Sequence, residues 1–224
     1  MAPLLSVRAV EKALQGEFLD SGVLFFDGLE YCFEELLRLF SSISVPALHR
    51  DSDDRGITRI SARVLDGGPY KGFTSGGLDL HTDSAAAPHP PELLLLFCES
   101  PGASGGEFLV ADGVAAAMAM RAQDERAYQK LFRLPVAMTG TSEKVTPARV
   151  NQNGGIDIRY RTVDPARVQD HAHLQKFNDI LRATMTQVPC SGGSGYFLDN
   201  TKWLHGRMPY VGHRVAFRAQ GRAR

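Results

Sequence analysis

From Gly56 to its end the chain is written in short apolar runs broken by glycine and proline, and this constrains the fold more than any other feature. Ile57 to Leu65 alternates in part until Gly67-Gly68-Pro69 stops it. Gly76-Gly77 precedes Leu78 to Asp83, and Pro90-Pro91 precedes Leu93 to Cys98. Pro101 to Gly106 then separates that run from Phe108 to Ala111. Asn153-Gly154 is a hairpin signal between Ala148 to Gln152 and Ile156 to Arg161, because Asn-Gly tolerates the positive φ that tight hairpin turns need. Gly192 to Gly195 leads into Tyr196 to Leu198, and Val211 to Ala219 reads as a last strand. Strands this short and this evenly punctuated predict a mainly β fold with flanking helices, a barrel or sandwich such as a jelly roll. An alternating α/β sheet needs more helices between its strands.

Helices are expected at Ser6 to Gln15, at Leu29 to Ile43, at Ala115 to Leu131, and from Pro165 with Asp164 as N-cap. In the second, Phe33, Leu36, Leu37 and Phe40 recur at helical spacing; in the last, Phe177, Leu181 and Met185 mark the buried stripe. No linker divides the chain. We expect one domain over residues 1–224, with 1–55 a helical lead-in and 56–224 a jelly-roll core carrying inserted helices.

Lys+Arg and Asp+Glu both number 25, so the formal net charge is zero and the electrostatic footprint of a nucleic-acid binder is missing. The longest apolar run, Leu93 to Cys98, is too short to span a bilayer. Cys32, Cys98 and Cys190 form no pair at metal-site or disulfide-framework spacing and are read as buried apolar side chains. No signal peptide is visible at the N-terminus, and a cytoplasmic protein acting on a small molecule is expected. Oligomeric state is not legible.

Chemistry concentrates in His81-Thr82-Asp83. Residues two apart on a strand face the same way, so an imidazole and a carboxylate project side by side. His205, in Trp203-Leu204-His205-Gly206-Arg207, adds the second imidazole of the set that holds non-haem iron(II) on one face and leaves three positions open. Arg214 and Arg218 lie four apart on one expected strand and share a face; a guanidinium fork suits the carboxylates of a dicarboxylic acid. Two readings from other classes use the same residues: a zinc-dependent hydrolase, and a non-catalytic β-barrel binding module. His171 and His173 lie two apart on an expected helix and are read as solvated, His89 and His213 as loop residues, and Ser191 to Gly195 as a turn.

Leu80-His81-Thr82-Asp83, Pro101-Gly102 with Gly105-Gly106-Glu107, Asp199-Asn200 followed by Leu204-His205-Gly206-Arg207, and the Arg214/Arg218 pair occur in one order over residues 80 to 218. In these pieces the chain resembles the iron(II)/2-oxoglutarate-dependent dioxygenases, in the branch of taurine dioxygenase and clavaminate synthase. The resemblance implies a double-stranded β-helix. It also implies iron(II) on His81, Asp83 and His205, with 2-oxoglutarate and dioxygen as cosubstrates. Arg214 would pair with the distal carboxylate of 2-oxoglutarate, and Arg218 would lie nearer the carboxylate that chelates iron. The implied reaction is hydroxylation of an unactivated C–H bond in an amino-acid-like or secondary-metabolite substrate, with release of succinate and CO2; desaturation and ring formation are its variants. Halogenating relatives replace the carboxylate at position 83 with a small residue, so Asp83 argues against halogenation. Arg159, Arg161 and Arg207 are candidates to meet an anionic group of the substrate, and Asp79 and Asp199 to hold an amine. One departure stands out: where the family usually places a threonine that helps hold 2-oxoglutarate, this chain has Phe108.

Overall fold

The computed structural model describes residues 3–63, 71–137, 144–161 and 172–224. Six helices are described: α1 (Val7–Leu14), α2 (Glu17–Ser21), α3 (Phe33–Ile43), α4 (Gly113–Gln123), α5 (Glu125–Arg133) and α6 (Ala172–Thr184). The longer sheet strands are β1 (Val23–Phe26), β2 (Ser44–Pro46), β3 (Ile57–Ser61), β4 (Leu78–His81) and β5 (Leu93–Pro101). They continue with β6 (Phe108–Asp112), β7 (Thr186–Val188), β8 (Ser194–Asp199), β9 (Trp203–Arg207) and β10 (Arg214–Ala223).

Every pairing between these strands is antiparallel. One sheet runs β1-β8-β5-β10, and β10 pairs along its far edge with β3 and then β2. The second runs β7-β6-β9-β4. Period-2 alternation divides each strand between two neighbours. Phe108, Val110, Tyr196, Leu198 and Leu94 turn inward and join the two sheets in a shared core. Leu24, Leu95, Phe97 and Phe197 turn outward beneath α1 to α3, and Leu109, Ala111 and Leu204 turn outward beneath α4 to α6. This is the mainly β fold with flanking helices that the turn-punctuated sequence predicts: two facing antiparallel sheets with helices on both outer faces.

Several expected boundaries move. Within the lead-in the apolar run Val23 to Phe26, which reads as a buried strand, is β1, and Ser44–Pro46 adds the unexpected β2 to the same sheet. The expected helix from Ala115 to Leu131 is two helices, because Asp124 breaks the first and caps the second by accepting from Ala127 N (2.9 Å). The last strand begins at Arg214 rather than Val211 and reaches Ala223; Tyr210–Val211 pairs separately with Ser104–Gly105. The hairpin forms as expected, Ala148–Val150 against Ile156–Ile158, with Gly154 at φ 78°. His173 is buried, against the solvated position expected, because its side of α6 packs with Leu174 and Phe177 on the second sheet. His171, the expected helix start at residues 164 and 165, and the stop at residues 67–69 lie outside the described residues.

Candidate metal and cosubstrate site

Two strands and a turn bring the three expected ligands together. His205 on β9 lies directly opposite His81 on β4, so both imidazoles project from one face with ring centroids 4.4 Å apart. Gly206 makes this register possible: a Cβ there would sit 2.5 Å from the Leu78 carbonyl oxygen. β4 ends at His81, two residues short of the expected strand end, so the strand alone does not place Asp83. Asn200 does. Its Oδ1 accepts from Asp83 N (2.7 Å), and its Nδ2 donates to the carbonyls of Asp83 (3.1 Å) and Pro91 (2.7 Å).

Asp83 Oδ1 then lies 3.3 Å from His81 Nε2 and 3.7 Å from His205 Nε2, and all three ligand atoms fall within 4.8 Å of one another in a buried cluster. Adjacent ligands on an octahedral ion with bonds of about 2.1 Å sit about 3 Å apart, so the set needs little movement to close on a metal. His81 Nδ1 faces the Asp79 carbonyl at 2.9 Å, which turns Nε2 toward the cluster, an orienting contact common among metal-bound histidines. Burial and the neighbouring His81 lower the pKa of His205 to about 4, so its ring is neutral and can donate a lone pair near pH 7. Burial alone would raise the Asp83 pKa, but Arg218 and the two imidazoles outweigh it and hold the carboxyl well below its usual range. Two imidazoles, one carboxylate and no thiolate suit iron(II) in a site with open positions.

The second oxygen of Asp83 has its own donors, Arg218 Nη1 (2.8 Å) and Gln220 Nε2 (2.8 Å). Arg214, Arg218 and Gln220 alternate along β10 and face the space between the sheets. Arg214 is only 3% exposed. Among the described residues no carboxylate comes within ion-pair distance of it and its Nε has no hydrogen-bond partner; Nη2 lies 3.8 Å from Cys190 Sγ. The Gly105-Gly106 motif makes room here. Gly106, at φ 82°, would carry a Cβ 3.4 Å from Arg214 Cδ and Nε, and one on Gly105 would strike the Pro209 carbonyl. A buried guanidinium costs several kcal/mol unless an anion meets it. This one opens onto the same interior as the metal ligands.

The other expected site residues are engaged elsewhere. Arg159 donates from Nε to the Ala85 carbonyl (3.1 Å) and from Nη2 to that of Ala87. Arg207 Nη2 donates to the carbonyls of Thr74 and Gly76 (both 2.9 Å), with its guanidinium 4.5 Å from the Tyr210 ring centroid. Burial, then the nearby Arg214, lower the Arg207 pKa to about 10. Asp199 Oδ1 accepts from Thr201 N (2.8 Å) and Oγ1 (2.7 Å), which spends its carboxylate on the turn before β9. Asp79 pairs with Lys71 at an exposed position. Arg161 is different: it forms an isolated antiparallel bridge with His81, so its side chain leaves the backbone on the metal-facing side. Asn200, Gln220 and Tyr196 are the neighbours that sequence reasoning missed. Gln220 had a signal, since it continues the two-residue period of Arg214 and Arg218.

Fold and site together define a jelly-roll protein with a two-histidine, one-carboxylate cluster and, beside it, a buried guanidinium with no carboxylate partner among the described residues. Residues 3–220 match the model of the taurine catabolism dioxygenase TauD, TfdA family, and the chain belongs to that family. It is 26% identical over 159 residues to gamma-butyrobetaine dioxygenase of Homo sapiens, a match covering 62% of this chain and 41% of that protein, so it spans less than half of this relative's length. Among solved structures, an asparagine oxygenase in complex with Fe(II), 2S,3S-3-hydroxyasparagine and succinate superposes with TM-score 0.74 at 15% identity, covering 96% of this chain and 79% of that one. PvcB from Pseudomonas aeruginosa gives 0.71 at 16% identity (100% and 84% covered). A taurine dioxygenase from Burkholderia xenovorans gives 0.70 at 18% (96% and 82%).

Proposed function

We propose that the chain is an iron(II)- and 2-oxoglutarate-dependent oxygenase that hydroxylates a C–H bond of a small, amino-acid-like molecule. The observation that carries this reading is the coincidence of the His81/Asp83/His205 cluster with Arg214, a buried cation lacking a carboxylate partner among the described residues and opening onto the same interior. A zinc hydrolase has no use for such an anchor. Iron(II) held there would supply dioxygen activation, and the balanced reaction takes substrate C–H, O2 and 2-oxoglutarate to C–OH, succinate and CO2.

The chain's own residues do the rest. His81 and His205 offer Nε2, and Asp83 offers Oδ1 while Arg218 and Gln220 fix its other oxygen. Arg214 draws the distal carboxylate of the cosubstrate toward Gly106 and away from the metal. Leu94, Val110 and Leu198 line the shared core and keep bulk water from the reacting groups. Arg161, beside His81, takes an anionic group of the substrate; Arg159 is already held by backbone carbonyls, and Arg207 is held by two of them through Nη2 while its buried Nη1 has no partner among the described residues. The names of the relatives, gamma-butyrobetaine dioxygenase and asparagine oxygenase, support an amino-acid-like substrate. Among the described residues no helix is long and apolar enough to cross a membrane, and the three cysteines are free, which supports a cytoplasmic setting.

The test is a screen of amino acids and betaines with purified enzyme, iron(II), 2-oxoglutarate and air, reading succinate and oxygen uptake together. Succinate formed in step with oxygen and lost in His205→Ala is the expected result. Turnover that persists without oxygen, or with zinc in place of iron, would overturn the reading.

A further inference from the structure

The distal carboxylate of a 2-oxo diacid presents two oxygens, and the Arg214 fork does not exhaust their acceptor capacity. The family pattern adds a threonine hydroxyl, but this chain has Phe108 there, 1% exposed and closed into the inter-sheet core. Strand register shows what lines the path from Asp83 to Arg214. Tyr196 pairs with Leu96 and Leu96 with Arg218, so Tyr196, Leu96 and Arg218 form one inward-facing row. Ser194, Cys98 and Ala216 form the next, nearer Arg214.

Two side-chain hydroxyls occur in these rows on β8, β5 and β10; a third, of buried Thr58 on β3, lies opposite Arg218 at the end of the row away from Tyr196. That of Ser194 is taken: it accepts from Ser191 N (2.9 Å) and donates to Ser191 O (2.7 Å). That of Tyr196 makes no hydrogen bond among the described residues, although the residue is 1% exposed. No protein group among the described residues occupies this hydroxyl, which leaves it free to donate to a ligand or water between the sheets. The ring stands edge-on to Phe108 (centroids 5.4 Å apart, planes at 84°) and 6.2 Å from His205. A tyrosine hydroxyl is a protonated donor near neutral pH, and this one shares its inward-facing row with Arg218, on the side of the sheet that Asp83 and Arg214 also face.

We propose that Tyr196 donates its hydroxyl hydrogen to the distal carboxylate of 2-oxoglutarate, sharing that carboxylate with Arg214. Phe108 then has a positive role. It occupies the threonine's place and buttresses the tyrosine ring from the opposite sheet. The proposal rests on the oxygenase reading above and assigns a donor that the sequence motifs do not contain.

The test is anaerobic calorimetric titration of iron(II)-loaded wild type and Tyr196→Phe with 2-oxoglutarate, with iron(II) affinity of each measured separately. Loss of one hydrogen bond to a carboxylate weakens 2-oxoglutarate binding about tenfold, while iron(II) affinity stays within a factor of two. Unchanged 2-oxoglutarate affinity in Tyr196→Phe overturns the proposal, as does a parallel loss of iron(II) affinity, which would make the tyrosine structural. Wild-type protein that binds iron(II) but no 2-oxoglutarate would instead remove the oxygenase reading, and this assignment with it.

Discussion

Replacing Asn200 with alanine tests how the carboxylate of the proposed iron site is placed. Asn200 is 2% exposed, and its side-chain amide makes three hydrogen bonds, to Asp83 N, Asp83 O and Pro91 O, at 2.7, 3.1 and 2.7 Å. Alanine removes all three and leaves buried backbone groups unsatisfied. At about 1–1.5 kcal/mol each, the loss is roughly 3–4 kcal/mol. For a chain of this size that corresponds to a Tm lower by about 8 °C or more. A second consequence separates this clamp from generic packing. Asp83 lies beyond the end of β4 and is followed by Ser84 at φ 53°, so without Asn200 its carboxylate is no longer directed at the two imidazoles. Metal affinity should fall about 10- to 100-fold, as when other groups that orient ligands are removed. Thermal denaturation of the apoprotein gives the first number, and calorimetric titration with iron(II) or cobalt(II) gives the second. A variant with wild-type metal affinity, or one destabilised by less than about 1 kcal/mol, would refute the assigned role.

Gly106→Ala places a Cβ at φ 82° against Arg214; 2-oxoglutarate affinity should drop several-fold with metal affinity unchanged, as measured by titration of the iron(II) form. Gln220→Leu removes one of the two donors to Asp83 Oδ2 and should weaken cobalt(II) binding about tenfold, by about 1.4 kcal/mol, with fold stability nearly preserved. Cys190 has its thiol pKa lowered by its contact with Cys98 and by Arg214, so its thiolate persists to lower pH than that of an ordinary cysteine. Iodoacetamide should modify Cys190 near neutral pH ahead of Cys98, whose pKa is raised, and 2-oxoglutarate should slow the reaction; peptide mapping reads both. Tyr160→Phe removes the buried hydrogen bond to Asn178 (2.8 Å) and should cost about 1–3 kcal/mol in urea denaturation.

The sequence showed strands where alternation and turn residues coincide, and it pointed to the three residues that cluster because strand period 2 and residue chemistry are local properties. His81 and His205 meet through register, which the order of motifs implied but could not set; Gly206 and its close approach to Leu78 set it. Placement of Asp83 was less legible. Its reach to the imidazoles depends on Asn200, which is 117 residues distant in the chain. Arg159, Arg207 and Asp199 carry charges that read as binding groups, yet backbone carbonyls hold Arg159 and one side of Arg207, a turn hydroxyl holds Asp199, and such partners leave no trace in composition. Tyr196 was passed over because a tyrosine in an apolar run reads as core. Only the fold shows Phe108 and His205 facing it from the opposite sheet and Arg218 in its own row. His173 was misplaced for a related reason, since a helix face is buried by what packs on it and not by its own polarity.

The central claim is that His81, Asp83, His205 and Arg214 form one site for iron(II) and 2-oxoglutarate, and one anaerobic experiment tests it most directly. Iron(II) followed by 2-oxoglutarate is added to apoprotein, and the weak visible charge-transfer band of the chelate is recorded for wild type, Asp83→Ala and Arg214→Ala. The account predicts a band in wild type that is lost in Asp83→Ala and needs far more 2-oxoglutarate to develop in Arg214→Ala. Iron(II) bound to wild type with no band at saturating 2-oxoglutarate, or a band indifferent to both substitutions, would contradict it.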